Sequence, residues 1–314
     1  MSSDNPPLGR VLFVLGKGGV GRSTISAALG AAFALRGERV LVVEWTLGEP
    51  IAPWFGYSPA GHAAVEIAPR LSVMNYSLAE TMREYFVEHL GLRRLHERVI
   101  ASHAMQVMLR AAPGFEELFF LGRLQWLATT APGETGVTWD RIIVDAPATG
   151  HAASLLGMPA HMSSLPAGGL FSLELGRVQK LLADPSMSSA LVVALAEELA
   201  CEETLELMPQ LARELGRPPV ALFINRSVGA AVPDAANQQP PWLKTLCERV
   251  PGLAPLHQEL LERRRRETML ATELGPRTSR GAVALPDGLF SEGPLAPRDL
   301  VGSLAAQLRD WLAP

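Results

Sequence analysis

The stretch VLGKGGVGRST, residues 14–24, decides how the rest of the chain is read. A short apolar run, RVLFVLG (10–16), stops at glycine, and STISAALGAAFALRG (23–37) then reads as a small-residue helix closed by Gly37. A strand that feeds a glycine-rich loop and then a helix points successive backbone N–H groups at an anion, where the helix dipole adds to the attraction. Gly16 to Ser23 carries the spacing of a phosphate-binding loop, with Gly18, Gly19, Val20, Gly21 and Arg22 as the expected nucleotide cradle. Ser23 is the expected Mg2+ ligand, and Thr24 is expected to contact a phosphate oxygen. Loops of this spacing carry lysine where this chain has Arg22. A guanidinium is longer, planar and forked, so the exchange bears on phosphate geometry.

The chain has 314 residues, 48% hydrophobic and 19% charged, which describes an ordinary globular protein with a sizeable core. A net charge of −4 offers no global attraction to nucleic acid or anionic membrane. Cys201 and Cys247 are far apart and form no metal-ligand spacing, which fits a reduced, cytoplasmic setting. The N-terminus lacks the pattern of a secretion signal, and no run approaches the ~20 apolar residues of a membrane span, so no stable membrane insertion is expected. Lysine occurs only at Lys17, Lys180 and Lys244, an arginine bias that makes Arg22 less surprising without making it chemically silent.

RVLVVEW (39–45) reads as a second buried strand and completes a βαβ unit. DRIIVDAPATG (140–150), ALVVALAEEL (190–199) and PPVALFINRS (218–227) repeat the pattern of an apolar strand ending in polar or small residues. Ligands of open α/β sheets sit at the carboxyl ends of the strands, so Gly16, Glu44, Asp145 and Asn225 are expected to face one crevice. The expected architecture is α/β, a single P-loop domain over 1–314 with a mostly parallel sheet flanked by helices. A helical subdomain is expected over 56–138 and 157–186. Met74, Met82, Met105, Met108, Met158 and Met162 fall in or near it and suit either an ordinary core or a groove for an apolar helix of a client protein. The arginines 263–266 read as a solvated helix face.

Lys17 and the glycines after it resemble the deviant Walker A loop, K-G-G-x-G-K-[ST], of the SIMIBI-class P-loop proteins that include ParA, MinD and the ArsA/Get ATPases. DAPATGHAASLL (145–156) is similar to the switch II of the ArsA/Get branch. LFINRS (222–227) and ALPDGLF (284–290) are similar to its adenine-side segments. The resemblance implies ATP or ADP with Mg2+ as cofactors and a dimer in which Lys17 reaches the partner's nucleotide. It implies that Asp145 holds Mg2+ through water, that Gly150 senses the γ-phosphate, that His151 orients the switch and that Asn225 contacts the base. Lys17, Arg22 and Asp145 are thus the expected catalytic positions.

VEWTLGEPIAPWF (43–55) departs from that branch, because Thr46 stands where hydrolysing members carry an aspartate that positions the attacking water. Glu44 or Glu49 could substitute only if the loop places it within hydrogen-bond reach. The same stretch resembles the switch-I-divergent member of paired bacterial ArsA-like proteins, which implies an ArsA-like paralogue as heterodimer partner, with a homodimer as the other arrangement. The cysteines support neither the zinc clamp nor the arsenite site found in parts of the family. The expectation is a nucleotide-gated dimer with weak or no hydrolysis alone. The alternatives are a non-cycling scaffold subunit and a ParA/MinD-type positioning ATPase, which would want a DNA patch or a C-terminal membrane helix.

Overall fold

The computed structural model describes residues 6–46, 48–89, 114–130, 137–147, 152–162, 170–229, 241–250, 252–286 and 295–312. In chain order the elements are β1 (Val11–Leu15), α1 (Arg22–Leu35), β2 (Val40–Glu44), α2 (Ile51–Trp54), β3 (Val65–Ala68), β4 (Leu71–Asn75) and α3 (Leu78–Arg83). They continue with α4 (Phe115–Thr129), β5 (Arg141–Asp145), α5 (Ala152–Met162), α6 (Leu170–Ala183), β6 (Ser188–Leu195), α7 (Glu198–Leu215) and β7 (Ala221–Ser227). The last are α8 (Pro241–Arg249), α9 (Leu253–Leu274), β8 (Ala282–Pro286) and α10 (Pro297–Trp311).

The strands form one sheet in the order β3-β4-β2-β5-β1-β6-β7-β8, parallel except for the antiparallel edge pair β3 and β4. VLFVL, VLVVE and SSALVVAL are buried along their whole length, as strands covered on both faces must be. β1 lies between β5 and β6, so the chain moves outward to one side before β5 and to the other after β6. The crevice at that reversal is where open α/β sheets bind ligands, and the glycine loop leaves β1 at that point.

The small residues of α1 have a packing reason. A Cβ on Gly30 would come within 2.9 Å of both Leu71 and Val42, so the helix lies too close to the sheet for a larger residue. α10 packs on α1 and buries Val301, Leu304, Ala305 and Leu308. The apolar face of α10 is therefore covered by protein.

Helix does not fill the insertion as the sequence suggests. Residues 65–75 form β3 and β4 and extend the main sheet, and helix begins only at Leu78. The short runs VEIA and LSVMN alternate too briefly to announce themselves as strands; β4 is held by pairing with β2, and β3 in turn by pairing with β4. Met74, Met82, Met158 and Met162 are buried in the core on the α4 side of the sheet. Met105 and Met108 lie outside the described residues, as do Thr149, Gly150, His151 and the segment 287–290. Among the described residues no helix is long and apolar enough to cross a membrane.

Candidate functional site

The loop between β1 and α1 has the backbone of an anion site. Gly16 has φ +154 and its Cα faces the Val193 carbonyl so closely that a side chain would collide with it. Gly21, at φ +92, is the N-cap of α1 and contributes no side-chain cap, and the first turn of the helix carries no acidic residue. The first N–H groups of α1 are thus left to an external acceptor, which is what a phosphate supplies. From the other side the Asn225 amide, buried at the end of β7, donates to the Val20 carbonyl at 2.8 Å. A Cβ on Gly21 would collide with that amide. Asn225 here braces the loop.

The carboxylate of Asp145, at the end of β5, sits directly behind α1. The Ser23 hydroxyl donates to its Oδ2 at 2.6 Å. Its Oδ1 is buried and makes no full hydrogen bond, with the Ser26 hydroxyl of α1 a second donor near the carboxylate. Burial pushes this carboxyl above the usual aspartate range, against the pull of the Ser23 hydroxyl and the Arg22 guanidinium. An orphaned carboxylate oxygen beside a serine and a phosphate cradle fits Mg2+, a hard cation that keeps several waters and takes few protein ligands. Ser23 and Asp145 would hold it, and there it would supply positive charge against the phosphates of a bound nucleotide.

Arg22 does not extend over the loop. It is 9% exposed, and its Nη1 donates to the Pro147 carbonyl at 2.7 Å, just past Asp145. Burial lowers its pKa, partly offset by Asp145, and a guanidinium remains charged throughout. This contact ties the start of α1 to the chain leaving β5. Lys17 projects elsewhere: its Nζ pairs with Glu203 on α7 at 2.8 Å, a half-exposed bridge within the chain.

The segment after β2 is fastened in a form without a free acid at position 46. The Thr46 N–H donates to Asn75 Oδ1 at 3.2 Å, and the Asn75 amide donates back to the Thr46 carbonyl at 2.9 Å. The Thr46 hydroxyl accepts from the Glu49 N–H at 3.1 Å, closing a turn. Glu49, at φ +41, uses its carboxylate to accept from the Gly61 N–H at 2.8 Å. Glu49 is therefore a loop tie. Glu44 differs: it is fully buried, accepts from the Ile51 N–H at 3.2 Å through Oε1, and is the register partner of Asp145.

Burial raises the Glu44 pKa to about 7 against the opposing Ile51 N–H, with the Asp145 and Glu49 charges adding smaller upward pushes. Because the folded pKa is raised, the native state holds a proton that the unfolded chain releases between about pH 4.5 and 7. Stability should therefore fall as pH rises through that window, by on the order of 3 kcal/mol from this group. Denaturant unfolding of the nucleotide-free protein at pH 5 and pH 8 measures the drop, and Glu44→Gln is expected to remove that share of it.

Comparison with known proteins agrees with this geometry. The model of the anion-transporting ATPase family, ArsA, matches residues 9–167, from the entry to β1 through the glycine loop and Asp145. The chain belongs to the ArsA family. The chain is similar to the ATPase BagA of Mycobacterium tuberculosis, 31% identical over 229 residues, 70% of this chain and 66% of the relative. The arsenical pump-driving ATPase of Acidiphilium multivorum is 29% identical over 233 residues, 68% of this chain and 39% of that protein. A putative arsenical pump-driving ATPase 2 of Aquifex aeolicus is 26% identical over 153 residues, 47% and 48% of the two chains. The chain spans just under two thirds of the mycobacterial relative and less than half of the other two.

As a member of the ArsA family, the chain has the P-loop fold expected from its sequence, with a mostly parallel sheet flanked by helices. The structure brings Ser23, Arg22 and Asp145 together and sets Asn225 under the loop. It draws Lys17 away to α7. Three ties were not legible in the sequence: Lys17 to Glu203, Arg22 to Pro147, and Asn75 to Thr46. Each joins residues far apart in the chain, so the spacing inside one motif does not announce it.

Proposed function

We propose that this ArsA-family chain binds Mg2+–ATP as a nucleotide-gated dimer, hydrolyses it weakly or not at all alone, and works beside a hydrolytically intact ArsA-like paralogue. The observation that carries the reading is a phosphate cradle with an intact Ser23–Asp145 pair whose two neighbouring reactive positions are diverted. Arg22 is spent on the Pro147 carbonyl, and the hydroxyl of Thr46 on a turn. Binding groups are present, while the carboxylate that would position an attacking water is replaced. The measurement that tests this reading is calorimetric affinity for ATP and ADP with Mg2+. Micromolar or tighter binding is the expected result, and no binding of either nucleotide would contradict it.

Dimer closure on ATP would require Lys17 to leave Glu203. Glu203→Gln is expected to shift the ATP-dependent monomer–dimer midpoint to about two- to fivefold lower protein concentration, the scale of an exposed ion pair. Sedimentation velocity with a non-hydrolysable ATP analogue checks this. An unchanged midpoint would mean that Lys17 plays no part in closure.

The client in this reading is an apolar helix. A cavity of about 520 Å3 lies among α3, α4 and α6 and is lined by Tyr85, Phe86, Phe115, Phe119, Trp126 and Leu173. Rigid aromatic walls suit the side chains of such a helix. Buried Arg123 pairs with Glu84 at the same cavity, where His62 and Arg123 hold Glu84 below the usual carboxylate range although burial alone would raise it.

A further inference from the structure

Glu44 and Asp145 end two adjacent parallel strands and stand opposite each other in register. Register partners project to the same face, here the one that packs on α1, where Val14, Val42 and Ile143 share a cluster with the helix. Glu44 is 0% exposed and Asp145 1%. Each carboxylate has one oxygen held by the chain, Glu44 by the Ile51 N–H and Asp145 by the Ser23 hydroxyl. Each has a second buried oxygen without a full hydrogen bond: Glu44 Oε2, and Asp145 Oδ1, near which only the Ser26 hydroxyl offers a weak donor.

Two buried carboxyl groups with orphaned oxygens are costly to keep side by side unless something positive or protic joins them. Arg22 offsets Asp145, but its hydrogen bond goes to the Pro147 carbonyl, and among the described residues no cation forms an ion pair with Glu44. A hard divalent cation with its waters satisfies such an all-oxygen pair.

We propose that Glu44 is a second carboxylate of the divalent-cation site, acting with Asp145 and Ser23 on the Mg2+ that accompanies the nucleotide. The chain thereby supplies from β2 a negative charge two residues before Thr46. Glu44 is thus a metal-holding residue, while Glu49 and Thr46 shape the loop. The inference rests on the proposed Mg2+–nucleotide site.

The test is Mn2+ titration of the protein–ADP complex, followed by electron paramagnetic resonance, for the unmodified chain and Glu44→Gln. Glutamine keeps an oxygen for the Ile51 N–H, and ADP affinity measured in EDTA reports whether the loop is intact. The expected result is a Mn2+ Kd raised at least about tenfold, with EDTA-measured ADP affinity within twofold. A Mn2+ Kd unchanged within twofold would overturn the proposal and leave a proton shared by the two carboxyls as the joining group. Loss of ADP affinity in EDTA by Glu44→Gln would also overturn it, because Glu44 would then serve the loop. If the unmodified chain binds no ADP at all, the nucleotide reading fails separately. Thermal melting with Mn2+ alone then decides: Glu44-dependent stabilisation upholds the carboxylate pair, and its absence overturns it.

Discussion

Arg22→Lys combined with Thr46→Asp is expected to raise single-turnover hydrolysis of bound ATP by about 10²-fold or more over the unmodified chain. The two changes address different deficits. Arg22 is drawn to the Pro147 carbonyl beside Asp145, and a shorter, compact ammonium loses that forked reach and can face the β- and γ-phosphates instead. Thr46 lends its hydroxyl to the Glu49 N–H, an acceptor role that an aspartate oxygen can keep while its second oxygen faces the crevice. Asn75 holds the backbone of position 46 from both sides, so the new side chain starts from a fixed place. The single variants are expected to gain less than the pair, because a water-positioning carboxylate and a phosphate clamp act on the same transition state. A double variant as slow as the parent would show that something other than these two positions suppresses turnover.

Asp145→Asn is expected to weaken Mg2+-dependent nucleotide affinity by about 10²-fold and to leave thermal stability unchanged or higher. Asparagine retains an oxygen for the Ser23 hydroxyl and fills the same space, but it removes a charge that burial penalises and that has an oxygen without a full hydrogen bond. Loss of binding with a melting temperature at or above the parent's would mark Asp145 as a residue kept for its ligand at some cost to the fold. A strongly destabilised variant would mean that the Arg22 charge depends on Asp145 more than on the Pro147 carbonyl. Affinity with and without Mg2+, alongside a thermal melt, separates the two.

The parts of the molecule that could be read from the sequence are those fixed by local pattern. β1, the glycine loop, α1 and β2 follow from apolar runs broken at glycine, and β5, β6 and β7 repeat the same pattern. The convergence of Ser23 and Asp145 follows from the rule for strand ends. The register that sets Glu44 beside Asp145 does not, because it depends on β2 and β5 being neighbours while 96 residues of chain lie between their ends, Glu44 and Arg141. β3 and β4 were hidden for a related reason: four- and five-residue strands draw their stability from the sheet edge they join. Asn225 carries a legible position, since it ends β7 in the crevice, and the structure adds that its amide is given to Val20. Lys17 is the sharpest case. Its motif marks it for a nucleotide, and within the isolated chain a glutamate on α7 takes it instead.

On the proposed function the cradle binds nucleotide without turning it over. Excess unmodified chain mixed with trace ATP and Mg2+, quenched over time, tests it directly. Bound ATP is expected to convert to ADP no faster than about 10⁻⁴ s⁻¹, the range of phosphate-loop proteins lacking their full catalytic complement. Conversion at about 0.1 s⁻¹ or faster would contradict it and would make Arg22 and Thr46 working members of an active ATPase site.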